Sequence, residues 1–348
     1  MSTSTKIPQL SHALFLTDGG LETTLIFREG IQLPDFAAFT LLASTSGRHA
    51  LERYYLSYID IAKRHGVGIV LDTPTWRASA DWGRRLGYSS VQLRKVNAAG
   101  VKQLMALRAK HADEHTPIVV SGTIGPRGDG YAAESILSAS EAEQYHSEQI
   151  RALADGGADF ITAQTIAHVD EAIGIVRAAI EHSMRVVISF TVEVDGRLPS
   201  GQTLEQAIID LDAATDSTAA YIMVNCAYPT HLISVINPAS AAFARVRGMR
   251  ANASSRSHAQ LDESDVLDDG DPAELAGLYR DLLALLPNLT ILGGCCGTDD
   301  RHIEAIATAC APAFRAQDEN SATPGRTRAA VLTTSPAAER TALSTGNR

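Results

Sequence analysis

A (β/α)8 TIM-type barrel is the fold class the sequence predicts, on three observations. Short apolar runs rich in Val and Ile alternate with longer segments of helical period, and eight such strand–helix pairs follow one another. The long connections, 19–47, 74–89, 124–139, 193–202 and 253–271, all follow strands, as expected where a barrel builds its site on the C-terminal face. The first strand runs into "DGGLETTL", which lacks the G-x-G-x-x-G turn of the competing open, doubly wound sheet.

The elements read in order. "ALFLTD" (13–18) is the first strand, and a helix covers 47–65. "VGIVLDT" (67–73) precedes a helix within 90–115, and "PIVVSGT" (117–123) a helix over 140–155. "ADFITAQT" (158–165) precedes 168–182, and "RVVISFTV" (185–192) precedes 203–216. "AAYIMVNC" (219–226) leads to a short helix near 230–236, "RVRGMRAN" (245–252) to 272–286, and "LTILGG" (289–294) to 299–311. From 313 the chain is rich in Ala, Ser, Thr, Pro and Arg without sustained period. A disordered tail over 313–348 is expected, leaving one domain over 1–312.

Composition narrows the partners. A net charge of -10 with no dense Lys/Arg run argues against nucleic acid. No apolar run reaches the length of a membrane span, and the start does not read as a signal peptide. A cytoplasmic protein that handles small molecules is expected. Helices on a barrel's flank could support a homo-oligomer, although no face is marked for it. Four cysteines in 348 residues are no disulfide framework.

The cysteines are placed unevenly. Cys226 ends the sixth strand, and Cys295 and Cys296 end the eighth, so a barrel brings all three to one face. Three thiolates suit zinc, each at about 2.3 Å, and leave a fourth position open. Gly293 and Gly294 would let the backbone turn sharply before the pair, and Gly297 would relax the exit. A vicinal Cys295–Cys296 disulfide and three inert buried cysteines are the alternatives. Cys310, between two alanines in the last helix, reads as a small buried apolar residue.

"DGGLETTL", "VNC" and "GGCCGT", in that order, resemble the homocysteine S-methyltransferase family. That family includes S-methylmethionine- and betaine-dependent enzymes and the homocysteine domain of cobalamin-dependent methionine synthase. The resemblance runs from about 12 to 311 and includes "SGTIGP", "ADFITAQT" and "SFTVEVDGRLPSGQTL". It implies the same barrel, with zinc held by Cys226, Cys295 and Cys296 and homocysteine's sulfur in the open position. It implies that Asp18, with the backbone of Gly19 and Gly20, binds the substrate's amino group; a plain Asp-Gly turn is the bland reading. Asn225 and Asn252, at strand ends, are candidates for contacts to substrate or to the groups behind it, or for capping and loop hydrogen bonds.

Two departures from the family pattern bear on the ligand. Gln164–Thr165 stands where the family often has Glu-Thr, so a charge-assisted contact to the substrate ammonium is lost. "TPTWRASADWG" (73–83) puts Pro74, Trp76 and Arg77 where Asn, Tyr and Gln are common. Both tryptophans, Trp76 and Trp82, fall in this loop, where they could face a cationic methyl donor or pack the loop. Arg77 could hold a donor carboxylate or pair with Asp81. His168, His231 and His302 read as helix-start or surface residues, and 261–271 as a solvated acidic loop.

The expected activity is zinc-dependent transfer of a methyl group from S-methylmethionine or S-adenosylmethionine to homocysteine, because the chain is one barrel without a cobalamin-binding region. A betaine-type donor, another thiol or selenol acceptor, and a zinc or vicinal-thiol redox sensor are the alternatives.

Overall fold

Eight parallel strands close into a barrel in chain order, with β1 paired to both β2 and β8. They are β1 (Phe15–Leu16), β2 (Gly68–Asp72), β3 (Ile118–Ile124), β4 (Phe160–Ile166), β5 (Val186–Phe190), β6 (Ile222–Ala227), β7 (Val246–Ala251) and β8 (Ile291–Gly294). The following helices are α1 (Thr45–His65), α2 (Ser90–His111), α3 (Ala139–Gly156), α4 (Val169–Glu181), α5 (Leu204–Ala214), α6 (Pro229–Ile233), α7 (Pro272–Leu285) and α8 (Asp300–Ala322). This computed structural model describes residues 7–131, 136–257, 260 and 266–322.

Local chemistry sets the helix ends. Ser89 with Gln92, and Ser138 with Glu141, form reciprocal capping boxes that start α2 and α3. Ser44, Thr203 and Asp271 each accept a first-turn N–H. Gly66 and Gly157 end α1 and α3 in the left-handed conformation, where a side chain would clash. Among the described residues no helix is long and apolar enough to cross a membrane.

Period-two alternation sorts the strand side chains. Phe15, Val70, Val119, Phe160, Val187 and Met223 fill the inside of the barrel, while Leu16, Ile69, Leu71, Val120, Ile161 and Ile188 meet the helices. Ile7 joins the inner cluster from the N-terminal end, and the Arg247 guanidinium donates to the Leu10 carbonyl at 2.8 Å, closing that end. Towards the C-terminal ends the inward positions become polar and buried, with Asp72, Thr123, Gln164, Asn225 and Arg250. The apolar layer is a floor, and the polar layer above it is where a site can form.

The last helix is longer than expected. α8 does not stop at 311 but runs through Pro312 to Ala322, and residues 323–348 lie outside those described. The helical stripe Ile303, Ile306, Ala307, Cys310, Ala311 continues to Phe314, which is 8% exposed in the core. One more turn of apolar spacing outweighs the hydrogen bond that Pro312 cannot donate. Phe314→Ala is expected to lower unfolding free energy by about 3 kcal/mol in denaturant titration; no loss would place the domain edge back at 312.

Candidate active site

Cys226 reaches the site through a defect in its strand. The β6–β7 register shifts between Asn225 and Ala227, and Cys226 has φ +52°, a left-handed conformation rare for a side-chain-bearing residue. Such a bulge re-aims one side chain. Asn225 secures it: its Oδ1 accepts from the Thr165 N–H at 2.8 Å and the Ser189 hydroxyl at 2.7 Å. Its amide donates to Thr165 Oγ1 at 2.9 Å and to Cys226 Sγ at 3.3 Å. Asn225 thus positions the sulfur from behind; it is fully buried and does not line the cavity.

Cys295 is held to β7 by its N–H donating to the Ala251 carbonyl at 2.7 Å, and the Cys296 carbonyl accepts from the Ala253 N–H at 3.0 Å. The sulfurs of Cys226, Cys295 and Cys296 lie within 4.8 Å of one another on the wall of one cavity. Tetrahedral zinc–sulfur bonds place sulfurs about 3.8 Å apart, so this trio fits a zinc ion once its thiols are reduced. The sulfurs of Cys226 and Cys295 are in direct contact, with their Cα atoms 5.4 Å apart.

The glycines before the cysteines act by close approach, not by a turn. Gly293 and Gly294 have no positive φ, whereas Gly297 does, at +80°. A Cβ on Gly293 would lie 1.8 Å from Thr17 Oγ1, and one on Gly294 1.9 Å from Thr298 Oγ1. A Cβ on Gly20 would lie 2.6 Å from the Cys295 carbonyl oxygen, so the Asp-Gly-Gly turn is pressed against the cysteine loop.

Beside the sulfurs lies a buried ion triad that was not anticipated. Arg250, 5% exposed, donates to Asp18 Oδ1 at 2.6 Å and also to Asp72 Oδ2, the Gly294 carbonyl and the Gly19 carbonyl. Asp18 Oδ2 accepts from the Tyr54 hydroxyl at 3.1 Å. Burial raises the Asp18 carboxyl to about 6, with Arg250 opposing. The Gly20 N–H is spent on the Thr298 carbonyl at 3.0 Å. Asp18 lines the cavity with each of its oxygens already accepting one hydrogen bond, from Arg250 and from Tyr54. Gln164 lines the same cavity with its amide donated to Asp72 at 3.0 Å.

The cavity has a volume of about 480 Å³. Trp76, Phe27 and Phe36 line it with Arg77, Glu22 and Asn252. Trp82 does not; the Arg77 guanidinium stacks over it at 4.0 Å and lies 5.0 Å from the Trp76 ring. Arg77 donates to the Asp35 carbonyl, while Asp81 pairs with Arg84 and Arg127, so the expected Arg77–Asp81 pair does not form. The Oδ1 of Asn252, 2% exposed, has no hydrogen-bond partner among the described residues. Burial pushes Glu22 up to about 7.

The described part of the acidic loop is not free in solvent. Val266, Leu267 and Asp268 line the cavity, and Asp269 bonds Arg28 at 3.0 Å and Arg301 at 2.6 Å. His168 caps α4 by accepting the Glu171 N–H. His302 is buried, its ring between Asp299 and the Asp269 carbonyl. Burial raises the Cys310 thiol to about 12, and it stays an apolar filler. Reading by motif missed Arg250, Asp72 and Glu22. The legible signal for the first two was a charge within or closing an otherwise apolar strand, "VRGMRA" and "GIVLD".

Two outcomes follow from these charges. Arg250→Met leaves two buried carboxylates facing each other and is expected to cost about 3–5 kcal/mol in denaturant unfolding. Glu22 binds a proton in the folded chain between its ordinary 4.5 and about 7, so its contribution to stability is lost as pH rises through that window. Glu22→Gln is expected to be more stable than the parent at pH 8, by at most ~3 kcal/mol in denaturant unfolding. The gap should close near pH 4.5; a gap independent of pH would show that burial does not perturb this carboxyl.

Comparison with known proteins completes the picture. Residues 15–310 match the family described as homocysteine S-methyltransferase. A selenocysteine Se-methyltransferase from Brassica oleracea var. italica is 22% identical over 317 residues, covering 84% of this chain and 87% of that protein. The homocysteine methyltransferase MmuM from Escherichia coli superposes in its oxidised form with a TM-score of 0.69 at 19% identity, covering 87% of this chain and 97% of the other. Its metallated form gives 0.65 at 19% identity over 86% and 96%. These likenesses agree on the barrel, and a family match that starts in β1 and ends in α8 spans every strand and helix of it: the chain belongs to the homocysteine S-methyltransferase family.

Proposed function

We propose that this protein transfers a methyl group from a sulfonium donor, S-methylmethionine or S-adenosylmethionine, to the thiolate of homocysteine, forming methionine. The observation that carries this is the convergence of Cys226, Cys295 and Cys296 on the wall of a cavity large enough for two amino-acid substrates. A zinc ion on these thiolates would supply deprotonation of the acceptor thiol at neutral pH. The donor's S–CH3 bond breaks with its electron pair staying on the donor sulfur, which becomes a neutral thioether. The acceptor sulfur forms the new S–CH3 bond, and its thiol proton has already gone to solvent.

The chain's own residues orient and enclose. Asn225 fixes Cys226, and the Asp-Gly-Gly turn and Arg250 fix the loop that carries Cys295. Asn252 Oδ1 offers an unused buried acceptor to a ligand N–H. Trp76, Phe27 and Phe36 give the donor cation an aromatic wall. Holding both reactants in line is worth roughly 7–11 kcal/mol of barrier. A reducing compartment, the cytoplasm, suits a centre that needs three free thiolates. A selenol acceptor is the second reading, supported by the selenocysteine-methylating relative and by neutral Gln164 in the cavity.

Reduced, zinc-loaded protein with homocysteine and, separately, S-methylmethionine, S-adenosylmethionine, betaine and dimethylsulfoniopropionate is expected to yield methionine with a sulfonium donor, read by mass spectrometry. Cys226→Ser should lose zinc and turnover together. Silence with all four donors while zinc stays bound would overturn homocysteine as the acceptor and direct the assay to selenocysteine.

A further inference from the structure

The carboxylates around the cavity are not equivalent. Asp18 and Asp72 already hold Arg250 between them. Asp268 accepts from the Ser254 hydroxyl at 2.8 Å and has Arg256 at 3.5 Å, and Asp129 is exposed. Glu22 is mostly buried, lines the cavity, accepts a hydrogen bond from its own backbone N–H, and has no hydrogen bond or ion pair to another residue among those described. A carboxylate withdrawn from water with only one backbone N–H as partner is costly, and a cationic ligand group in the cavity would offset that cost.

Its position fits a ligand of this site. Glu22 is the second residue of the helical turn Leu21–Thr23, which directly follows the Asp18-Gly19-Gly20 turn. That turn is the one pressed against the Cys295 carbonyl, so Glu22 is tethered a short distance from the sulfurs. Arg77 lines the same cavity, and no ion pair joins it to Glu22 within 4.0 Å. One carboxylate and one guanidinium on the same wall complement the two ends of an α-amino acid zwitterion, and Gln164 cannot supply the negative end.

We propose that Glu22 is the specificity-determining residue that seats the α-ammonium of an amino-acid substrate, with Arg77 facing that substrate's carboxylate. The proposal rests on the methyl-transfer reading and names a contact within the same site. Both acceptor and donor are amino acids, and the shared chemistry is an ammonium beside a carboxylate.

The test compares Glu22→Gln with the parent in saturation kinetics for homocysteine and for S-methylmethionine. Each is also compared with its analogue lacking the amine, 4-mercaptobutyrate or 4-(dimethylsulfonio)butyrate. Loss of a charge-assisted contact is expected to raise KM about 10- to 100-fold for one amino-acid substrate, with kcat changed little. The variant should bind that substrate and its amine-free analogue alike, whereas the parent discriminates. An effect on homocysteine assigns Glu22 to the acceptor, and an effect on S-methylmethionine assigns it to the donor. Unchanged KM for both, or discrimination that survives in the variant, overturns the proposal. Quenching of tryptophan fluorescence by the same ligands, compared between the parent and Trp82→Phe so that Trp76 is the reporter, measures binding without turnover. If the parent makes no methionine, the functional reading fails, and the quenching titrations still decide Glu22.

Discussion

The site depends on one buried guanidinium. Arg250 reaches from β7 to Asp18 at the end of β1 and to Asp72 at the end of β2, and it also takes the Gly294 carbonyl at the end of β8. Four neighbouring strand ends are thereby tied above the apolar floor. Ion pairs taken out of water gain little net stability, because desolvation offsets most of the attraction. Their effect is geometric: a planar fork that must satisfy two carboxylates and two carbonyls admits few arrangements of the strands that carry them. The cysteine loop after β8 inherits that geometry, since the Asp-Gly-Gly turn packs directly on it.

Irregular backbone supplies the rest. Register shifts at β4 and β6 accompany positive φ at Thr165 and Cys226, +64° and +52°. The two are joined by Asn225, which bonds Thr165 and the Cys226 sulfur. Regular strands would alternate these side chains between the barrel's inside and its helices. The bulges break that alternation at the C-terminal edge, where strain can be held by the surrounding hydrogen bonds. The arginines Arg28 and Arg301, through Asp269, bring the end of the long acidic loop over the same edge.

Charge in this cavity is arranged against stability. Asp18 and Glu22 are both raised by burial, to about 6 and about 7, so at neutral pH the folded chain holds negative charge that the unfolded chain would hydrate more easily. A protein that only needed to fold would place apolar side chains there. The cost makes sense where ligands bring positive charge, and it separates residues that build the barrel, such as Phe160 or Val187, from those that equip its open end.

How far the sequence alone reaches can be judged residue by residue. Eight periodic units and the cysteines at the ends of β6 and β8 are legible because they depend on neighbours a few positions away. The polar top of the barrel is legible only in part: Asp18, Gln164 and Asn252 belong to motifs, whereas Arg250 and Asp72 are single charges within or closing apolar strands. The partners of Asp18 and Asn225, Arg250 and Thr165, were not legible, because they lie on strands far apart in the chain. The last helix outruns its expected end because Phe314 finds a core contact that composition does not reveal. Sequence determined the fold class and the cysteine set, which follow from periodicity and strand order. Tertiary structure decided which charges are already paired and which, like Glu22, are left for a ligand, because pairing is settled across 178 or 232 residues of chain by strands that meet only when the barrel closes.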